Sequence, residues 1–423
     1  MKSVVQIQRQ GKVKDVRTSA AASGLPAEEI ETKVALIQAL IPLGLPAVGA
    51  ALEAEVVALA GARYRRTGGP ASVVRWGQQR GSVYLADQKL PIPVPRVRDR
   101  AAHREVALTT YAQLQRPRAA DAGLFRKILV GLTCRQYEVG AEAVPTAFGL
   151  SASSVSRRFI RASARHWQTL CERRLDRDEF VALGLDGKTF AEDALGIALG
   201  ITLQGQKQIL GFVQTATENE RVCAAFLREL LTRGLRIDHG LLCVIDGAKG
   251  LRTAIQTVFG APSLVQRCQW HKRENIVRYL PKTQQAAWRR QQAYERPTYA
   301  EARAALGRLR QELRGLNVSA VASLDEGLEE TLTLHSLGLF PILGVSLKTT
   351  NCLESLNAQL GQLTDKVDHW RTSDQKQRGV ASALLLIEPR LRRIKGSRHL
   401  PQLRAALRAT IGKAERVEGT RIA

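Results

Sequence analysis

Two aspartates in the chain each follow an apolar run and precede a glycine. The run Phe180 to Leu185 leads into Asp186, and the run Leu241 to Ile245 leads into Asp246. Because the carboxyl ends of neighbouring strands lie together in an α/β sheet, these two carboxylates are predicted to meet at one edge of the sheet. A third acid, Glu354, stands near the start of a predicted helix much later in the chain.

Three converging carboxylates would repel one another, so they would hold protons or bind hard cations. Oxygen ligands suit Mg²⁺ or Mn²⁺, and two such ions about 3.5–4 Å apart stabilise the attacking and leaving oxygens of an in-line displacement. Each acid also has a purely structural interpretation. Asp-Gly is common turn chemistry, and Glu354 lies three residues after Asn351, which is a capping-box spacing. The order of the three acids on their elements favours a joint site for two ions.

The string Cys268-Gln269-Trp270-His271 follows the predicted fifth strand. As a zinc half-site it lacks a second pair at finger spacing. The structural alternative is a core cysteine beside a half-exposed histidine. The third interpretation is a role in the site, in which His271 donates to a scissile phosphate or orients an aspartate. Trp270 would then stack on an unpaired base.

The elements that would position these residues form a mixed pattern. Three strand-like runs in a meander are followed by helix, strand, helix and strand, which is the element order of a ribonuclease-H-like mixed sheet. The sequence therefore predicts an α/β fold with this core, a helical insertion, and a preceding helical DNA-binding region. The predicted strands are 180–185, 194–203, 208–213, 241–245 and 264–268, with helices at 219–234 and 249–259.

The whole chain divides into six predicted segments. They are a basic flexible tail (1–30), a helical and small-hairpin DNA-binding region (31–120), a helix-turn-helix-like region (121–175), the first part of the catalytic core (176–275), a helical insertion (276–345), and the last core helices with a basic C-terminal tail (346–423). The uncharged stretch 34–52 contains prolines and glycines, so it is predicted to be a buried helical hairpin and not a membrane span.

The charge balance points to a polyanionic partner. The 63 Lys and Arg residues against 39 Asp and Glu give a net charge of +24, and a surface this basic attracts nucleic acid. A merely arginine-rich soluble or ribosome-associated protein is the alternative. Six cysteines without paired spacing indicate a reduced intracellular protein, and the first residues lack a secretory signal. We expect a cytoplasmic protein associated with the nucleoid.

Residues 144–161 are predicted to form a helix, a glycine-containing turn and a second helix. In this prediction the second helix turns Arg157, Arg158 and Arg161 outward, where they would contact phosphates and base edges. The alternative is an ordinary helical hairpin with a solvated arginine face. Ile160 is predicted to face inward together with Val155 and Phe159.

The string Gly187-Lys188-Thr189 is similar to the end of a phosphate-binding P-loop. That motif needs a glycine where Ala182 stands, so the P-loop interpretation is rejected. Lys188 is instead expected to neutralise a DNA phosphate. Lys272, directly after His271, is also predicted to contact DNA.

Four stretches together resemble the mutator-type transposases of bacterial insertion sequences. The third contains the Cys-x-x-His signature of that family, and the fourth its Thr-Thr-Asn-x-x-Glu-Ser box. The resemblance covers roughly residues 50–410. The stretches are Leu185-Asp186-Gly187, Val244-Ile245-Asp246-Gly247-Ala248, Gln266-Arg267-Cys268-Gln269-Trp270-His271-Lys272 and Thr349-Thr350-Asn351-Cys352-Leu353-Glu354-Ser355-Leu356-Asn357.

The resemblance implies a ribonuclease-H-like domain interrupted by a helical insertion, with Asp186, Asp246 and Glu354 as ligands of two Mg²⁺ or Mn²⁺ ions. It also implies cleavage of double-stranded DNA at terminal inverted repeats and transfer of the freed 3′-hydroxyl strand to target DNA. A homodimer is expected because two DNA ends must be paired. Two alternatives stay open: a DNA-binding protein without catalysis, and a related nuclease or resolvase that cuts without joining.

Overall fold

The computed structural model describes residues 3–9, 12–18, 27–64, 72–85, 88–115, 128, 151–215, 219–365, 367 and 370–422. The chain divides into two compact units, Met1–Ala162 and Ser163–Ala423. The boundary falls inside one helix, so each unit is described by itself.

The first unit is built from short strands and a long helix. Alternating apolar residues place Val83 and Val94 on the inner face of a hairpin, where they pack against Leu52 and Val56 of the helix. The elements are β1 (Ser3–Arg9), β2 (Lys12–Thr18), α1 (Ala27–Ala60), β3 (Val73–Leu85), β4 (Gln88–Asp99), β5 (Arg104–Val106), α2 (Thr109–Leu114) and the first part of α3 (Ala152–Cys171).

Three predictions for the first unit are tested by these elements. The small hairpin predicted within the region 31–120 is confirmed as β3 and β4, which pair antiparallel. The predicted loose tail over 1–30 is wrong in part, since β1 and β2 form an antiparallel pair within it. The predicted helical hairpin over 34–52 is also wrong, because α1 runs through the stretch as one helix. Among the described residues, no helix is both long enough and apolar enough to span a bilayer.

The second unit contains a five-stranded mixed sheet in the order β10-β9-β6-β7-β8. β9 pairs parallel with β6 and with β10, whereas β7 pairs antiparallel with β6 and β8. The predicted meander and the following alternation are confirmed. The elements are β6 (Phe180–Phe190), β7 (Asp193–Thr202), β8 (Lys207–Thr215), α4 (Glu220–Thr232), β9 (Leu241–Ile245), α5 (Lys249–Phe259) and β10 (Ser263–Arg267).

Helices make up most of the chain after β10. The block from α6 to α11 has an apolar core of its own, with Leu306, Leu313 and Leu324 fully buried. The helices are α6 (Gln269–Val277), α7 (Lys282–Arg289), α8 (Tyr299–Arg314), α9 (Val318–Asp325), α10 (Leu328–Thr331), α11 (Thr333–Ser336), α12 (Phe340–Leu347), α13 (Asn351–Thr364), α14 (Ser373–Ile387) and α15 (Leu400–Ile422), with 3₁₀ turns at Ala293–Glu295, Glu388–Arg390 and Ser397–His399.

The sheet is covered on both faces. α4 and α5 pack on one face against Leu183, Leu185 and the inner residues of β9, and α13 and α14 pack on the other face against β7 and β8. α13 also approaches β6 closely, since a Cβ at Gly184 would lie 2.9 Å from Cδ1 of Leu353. A larger residue at position 184 would require the Leu353 side chain to move.

Candidate active site

Asp186 lies inside β6 and not at its end as predicted, because the strand continues to Phe190. The ladder between β6 and β9 ends at the pair Leu185 and Ile245, so Asp186 is the first residue beyond it. Its carboxylate faces α13, and Asn357 donates a hydrogen bond from Nδ2 to Oδ2 at 3.2 Å. Asp186 is only 8% exposed, so this amide contributes to holding a nearly buried carboxylate in one orientation.

Asp246 directly follows Ile245, the last residue of β9. Because Ile245 pairs with Leu185 in the parallel ladder, the next residues of the two strands, Asp246 and Asp186, stand beside each other. Its Oδ1 accepts a hydrogen bond from the backbone N–H of Ala248 at 3.0 Å, which closes a tight turn into α5. Gly247 in this turn has a φ of +110°, a conformation that glycine adopts without steric cost. The predicted meeting of the two aspartates at one sheet edge is consistent with this register.

Glu354 stands in the first turn of α13, one turn before Asn357. Its Oε1 lies 3.9 Å from Nε2 of His271 and 3.4 Å from the hydroxyl of Thr350. Residues three apart on a helix share a face, so Glu354 and the amide that contacts Asp186 point to the same side. α13 therefore brings the third acid towards the aspartates.

His271 links the acids to a buried thiol. Cys268 is fully buried, and its hydrogen bond raises the pKa of His271, an effect to which the charges of Asp246 and Asp186 add. Burial alone would raise the pKa of Cys268, but hydrogen bonds from His271 and Thr350 outweigh burial and lower it. The hydrogen bond and the nearby carboxylates thus favour the positive form of the imidazole.

The structure brings Asp186, Asp246, Glu354 and His271 to the same end of the sheet. It does not close them around a single point: no three His, Cys, Asp or Glu side chains of the described residues are gathered as a metal site would require. Asp246 and Glu354 are each partly exposed, so both side chains have room to rotate towards a common ligand.

The predicted orientation of α3 is wrong at two positions, one expected to face outward and one inward. Arg158 is only 5% exposed, and its guanidinium lies over the ring of Tyr84 with Cζ 5.8 Å from the centroid. Ile160, predicted to be buried, is 45% exposed. Arg157 and Arg161 are exposed as predicted. The first helix and the glycine turn of the predicted helix-turn-helix lie outside the described residues.

Lys272 cannot contact DNA in this structure, which corrects the prediction made from its position beside His271. The side chain is fully buried, and Nζ donates to the backbone oxygen of Glu326. Lys188 is half-buried and donates from Nζ to the backbone oxygen of Asn357 at 3.1 Å. Trp270 is 46% exposed and packs edge-on against the ring of His271, so its indole is accessible at the site.

Two residues of the site were missed by sequence reasoning, although both lie in the stretch that contains Glu354. Asn357 contacts Asp186, and the buried hydroxyl of Thr350 lies 3.3 Å from Nδ1 of His271 and 3.6 Å from Sγ of Cys268. The available signal was their spacing: Asn357 follows Glu354 by one turn, and Thr350 precedes it by one.

Comparison with known proteins extends the resemblance beyond these motifs. A family model described as "Transposase, Mutator family" matches residues 21–385. The transposase for IS256 in transposon Tn4001 of Staphylococcus aureus is 33% identical over 171 residues, which is 39% of this chain and 42% of the relative. The transposase for IS6120 of Mycolicibacterium smegmatis is 27% identical over 274 residues, 62% of this chain and 80% of the relative.

A third relative, the transposase for ISRM5 of Rhizobium meliloti, is 29% identical over 292 residues, covering 65% of this chain and 69% of the relative. The match to the Staphylococcus aureus protein spans less than half of that relative's length, whereas the family model spans most of this chain. The chain therefore belongs to the Mutator family of transposases.

Proposed function

We propose that this protein is a DNA transposase with a ribonuclease-H-like core, which cleaves at the terminal inverted repeats of its insertion sequence and transfers the 3′-hydroxyl strand to target DNA. The proposal rests above all on one observation: Asp186, Asp246, Glu354 and His271 lie at the same end of the mixed sheet. The relatives named above are transposases of insertion sequences, which supports the same reaction class.

The three acids suit two Mg²⁺ or Mn²⁺ ions by their donor chemistry. All are oxygen ligands, and within the described residues no lysine or arginine pairs with Asp246 or Glu354. Their charge would therefore be available to a hard cation. When bound, two such ions stabilise the charge that develops on the attacking and leaving oxygens. Asp186, Asp246 and Glu354 would hold them, the last two after rotating their side chains inward.

The remaining side chains act directly on the substrate in this proposal. The pKa of His271 is raised first by Cys268 and further by the aspartates, and its Nε2 would donate to a non-bridging oxygen of the scissile phosphate. The hydroxyl of Thr350 contacts Nδ1 on the other side of the ring. Thr350 therefore orients the imidazole through Nδ1, and Nε2 lies 3.9 Å from Oε1 of Glu354.

Double-stranded DNA is the proposed substrate twice: as the duplex that is cleaved and as the target that receives the 3′-hydroxyl strand. Arg157 and Arg161 are exposed and would contact phosphates, and Trp270, exposed beside His271, would stack on an unpaired base. Lys188 would reach a phosphate only by giving up its hydrogen bond to α13. We further propose a homodimer that pairs the two DNA ends, and a cytoplasmic location beside the nucleoid.

The test compares two aspartates at opposite ends of β9. Asp246→Asn removes a proposed ligand, whereas Asp238→Asn changes an exposed aspartate before the strand begins and serves as the matched control. Each protein is incubated with a labelled DNA duplex containing the inverted repeat, with Mg²⁺, with Mn²⁺ or with a chelator. We expect nicking by wild type and by Asp238→Asn only when metal is present, and none by Asp246→Asn.

The outcomes separate the three functional classes. Binding of the repeat without nicking under any condition would support a DNA-binding protein without catalysis. Nicking without joining of the 3′-hydroxyl end to a target duplex would support a nuclease or resolvase. Nicking that persists in Asp246→Asn would refute the assignment of the site.

A further inference from the structure

A turn of the helical block docks beside the candidate site. The turn joins α9 to α10 and consists of Glu326 and Gly327; it is called here the Glu326 turn. Arg267, the last residue of β10, donates from Nη1 to the backbone oxygen of Glu326 at 3.1 Å, and its Nη2 lies 3.5 Å from Oε2 of the same residue. The helical block is therefore tied to the end of the sheet that contains Asp246.

The guanidinium of Arg267 is packed against two glycines. Its side chain is only 6% exposed. A Cβ at Gly327 would lie 2.6 Å from Nη1, and a Cβ at Gly247 would overlap Nε. The two glycines have φ values of +64° and +110°. Arg267 is thus enclosed between the Glu326 turn and the turn that directly follows Asp246.

Several other cations hold the Glu326 turn in place. Lys272 donates from Nζ to the backbone oxygen of Glu326, and Nζ of Lys249 lies 3.8 Å from its Oε1. One helical turn further on, Arg252 pairs with Glu330. Charge-assisted hydrogen bonds to a backbone oxygen are stronger and shorter than neutral ones, so the turn is fixed from the side of the sheet.

We propose that Arg267 is a positioning residue for Asp246, held in place by the Glu326 turn of the helical block. The flat guanidinium covers the backbone of Gly247 and keeps the turn in which Ala248 donates to Oδ1 of Asp246. The orientation of Asp246 then depends on a segment that folds outside the sheet. The functional meaning of this role rests on the proposed function, whereas the contact itself does not.

The structure offers a control on the same interface. Arg252 also joins the sheet side to the helical block, through Glu330, but its guanidinium does not cover the Asp246 turn. If the block only needed to be docked, loss of either arginine would have the same effect. If Arg267 positions Asp246, only Arg267 should matter for that turn.

The experiment therefore compares Arg267→Lys with Arg252→Lys in the full chain. Lysine keeps the charge but lacks the flat guanidinium, whose five N–H donors are held in a rigid fork. Hydrogen exchange of the Ala248 amide reports on the turn, and Mn²⁺ alone is titrated to measure binding at the carboxylates. In Arg267→Lys we expect the amide to exchange about tenfold faster and Mn²⁺ to bind about 10- to 100-fold more weakly. Arg252→Lys should match wild type in both.

A second variant approaches the same contact from the helical block. Gly327→Ala places a methyl group against Nη1 of Arg267, in a segment outside the sheet. It should reproduce the faster exchange of the Ala248 amide, and it keeps the proposal testable if Arg267→Lys does not fold. Unchanged exchange at Ala248 in Gly327→Ala, or equal effects of the Arg267 and Arg252 substitutions, would overturn the proposal. Faster exchange in a protein whose wild type never nicks DNA would leave the positioning role intact and reject the proposed function.

Discussion

The buried ammonium of Lys272 makes a prediction about stability as a function of pH. Desolvation lowers its pKa from 10.5 to about 8, and the nearby positive charge of Arg267 contributes to the shift, while Glu326 and Glu330 oppose it. The unfolded chain therefore binds more protons than the folded chain between these two values. It follows that the free energy of unfolding of the wild type rises with pH across this window.

The magnitude follows from the size of the shift. At about 1.4 kcal/mol per pKa unit, burial of Lys272 destabilises the fold by roughly 3 kcal/mol at pH 7 and by roughly 1 kcal/mol at pH 9.5. The substitution Lys272→Met keeps most of the side-chain volume and removes this titration. Its hydrogen bond to Glu326 is lost at every pH, so that loss cancels when two pH values are compared. The free energy of unfolding of the variant minus that of wild type should therefore be about 2 kcal/mol larger at pH 7 than at pH 9.5.

The assay is urea unfolding of wild type and Lys272→Met at pH 7 and at pH 9.5. Lys282→Met is the matched control, because Lys282 is exposed in the next helix and its loss changes the net charge by the same amount. We expect no pH-dependent difference in stability for the control. An equal difference between wild type and Lys272→Met at both pH values would refute the assignment of a buried, destabilised ammonium.

Three further predictions concern other parts of the molecule. Arg157→Ala should lower the salt dependence of DNA binding by about one counterion, whereas Arg158→Ala should lower the melting temperature, both measured on the purified full chain. Gly200→Ala would place a methyl group 2.6 Å from the ring of Phe180, so it should lower the free energy of unfolding in urea by about 1–3 kcal/mol. Gly307→Ala has open space around it and should raise the free energy of unfolding by about 0.5–1 kcal/mol. Thr350→Val should reduce DNA nicking with unchanged DNA affinity, and Thr350→Ser should restore it; equal activity of the two variants would contradict a role for the hydroxyl.

The core strands could be predicted because their pattern is local. The runs around β6 and β9 are continuous apolar segments, and such segments form strands buried on both faces. The end of β6 was misplaced for a tertiary reason. Asp186 interrupts the apolar run, but β7 continues to pair with β6 up to Phe190, and this partner cannot be identified from the run itself.

The errors on the basic residues have a different cause. Spacing along α3 groups arginines on one face, but it does not say which face meets the rest of the protein, and the ring of Tyr84 covers Arg158. Lys272 is buried because Glu326, more than fifty residues later, supplies the backbone oxygen that it contacts. Such long-range partners leave no periodic signal near the residue they bury. The acids were easier to single out from the sequence, since each follows an apolar run or belongs to a recognisable motif.

The close approach of α13 to Gly184 has a consequence for the order in which the residues of the candidate site come together during synthesis. A nascent chain that has emerged as far as α12 contains every strand of the sheet and both aspartates, but neither Glu354 nor the amide of Asn357 has yet reached the strand. Under the proposed function, partly synthesised copies could not cut the DNA beside which they are made. Under the same proposal, the site would be complete only when α13 packs onto β6, so cleavage would wait until α13 has been synthesised.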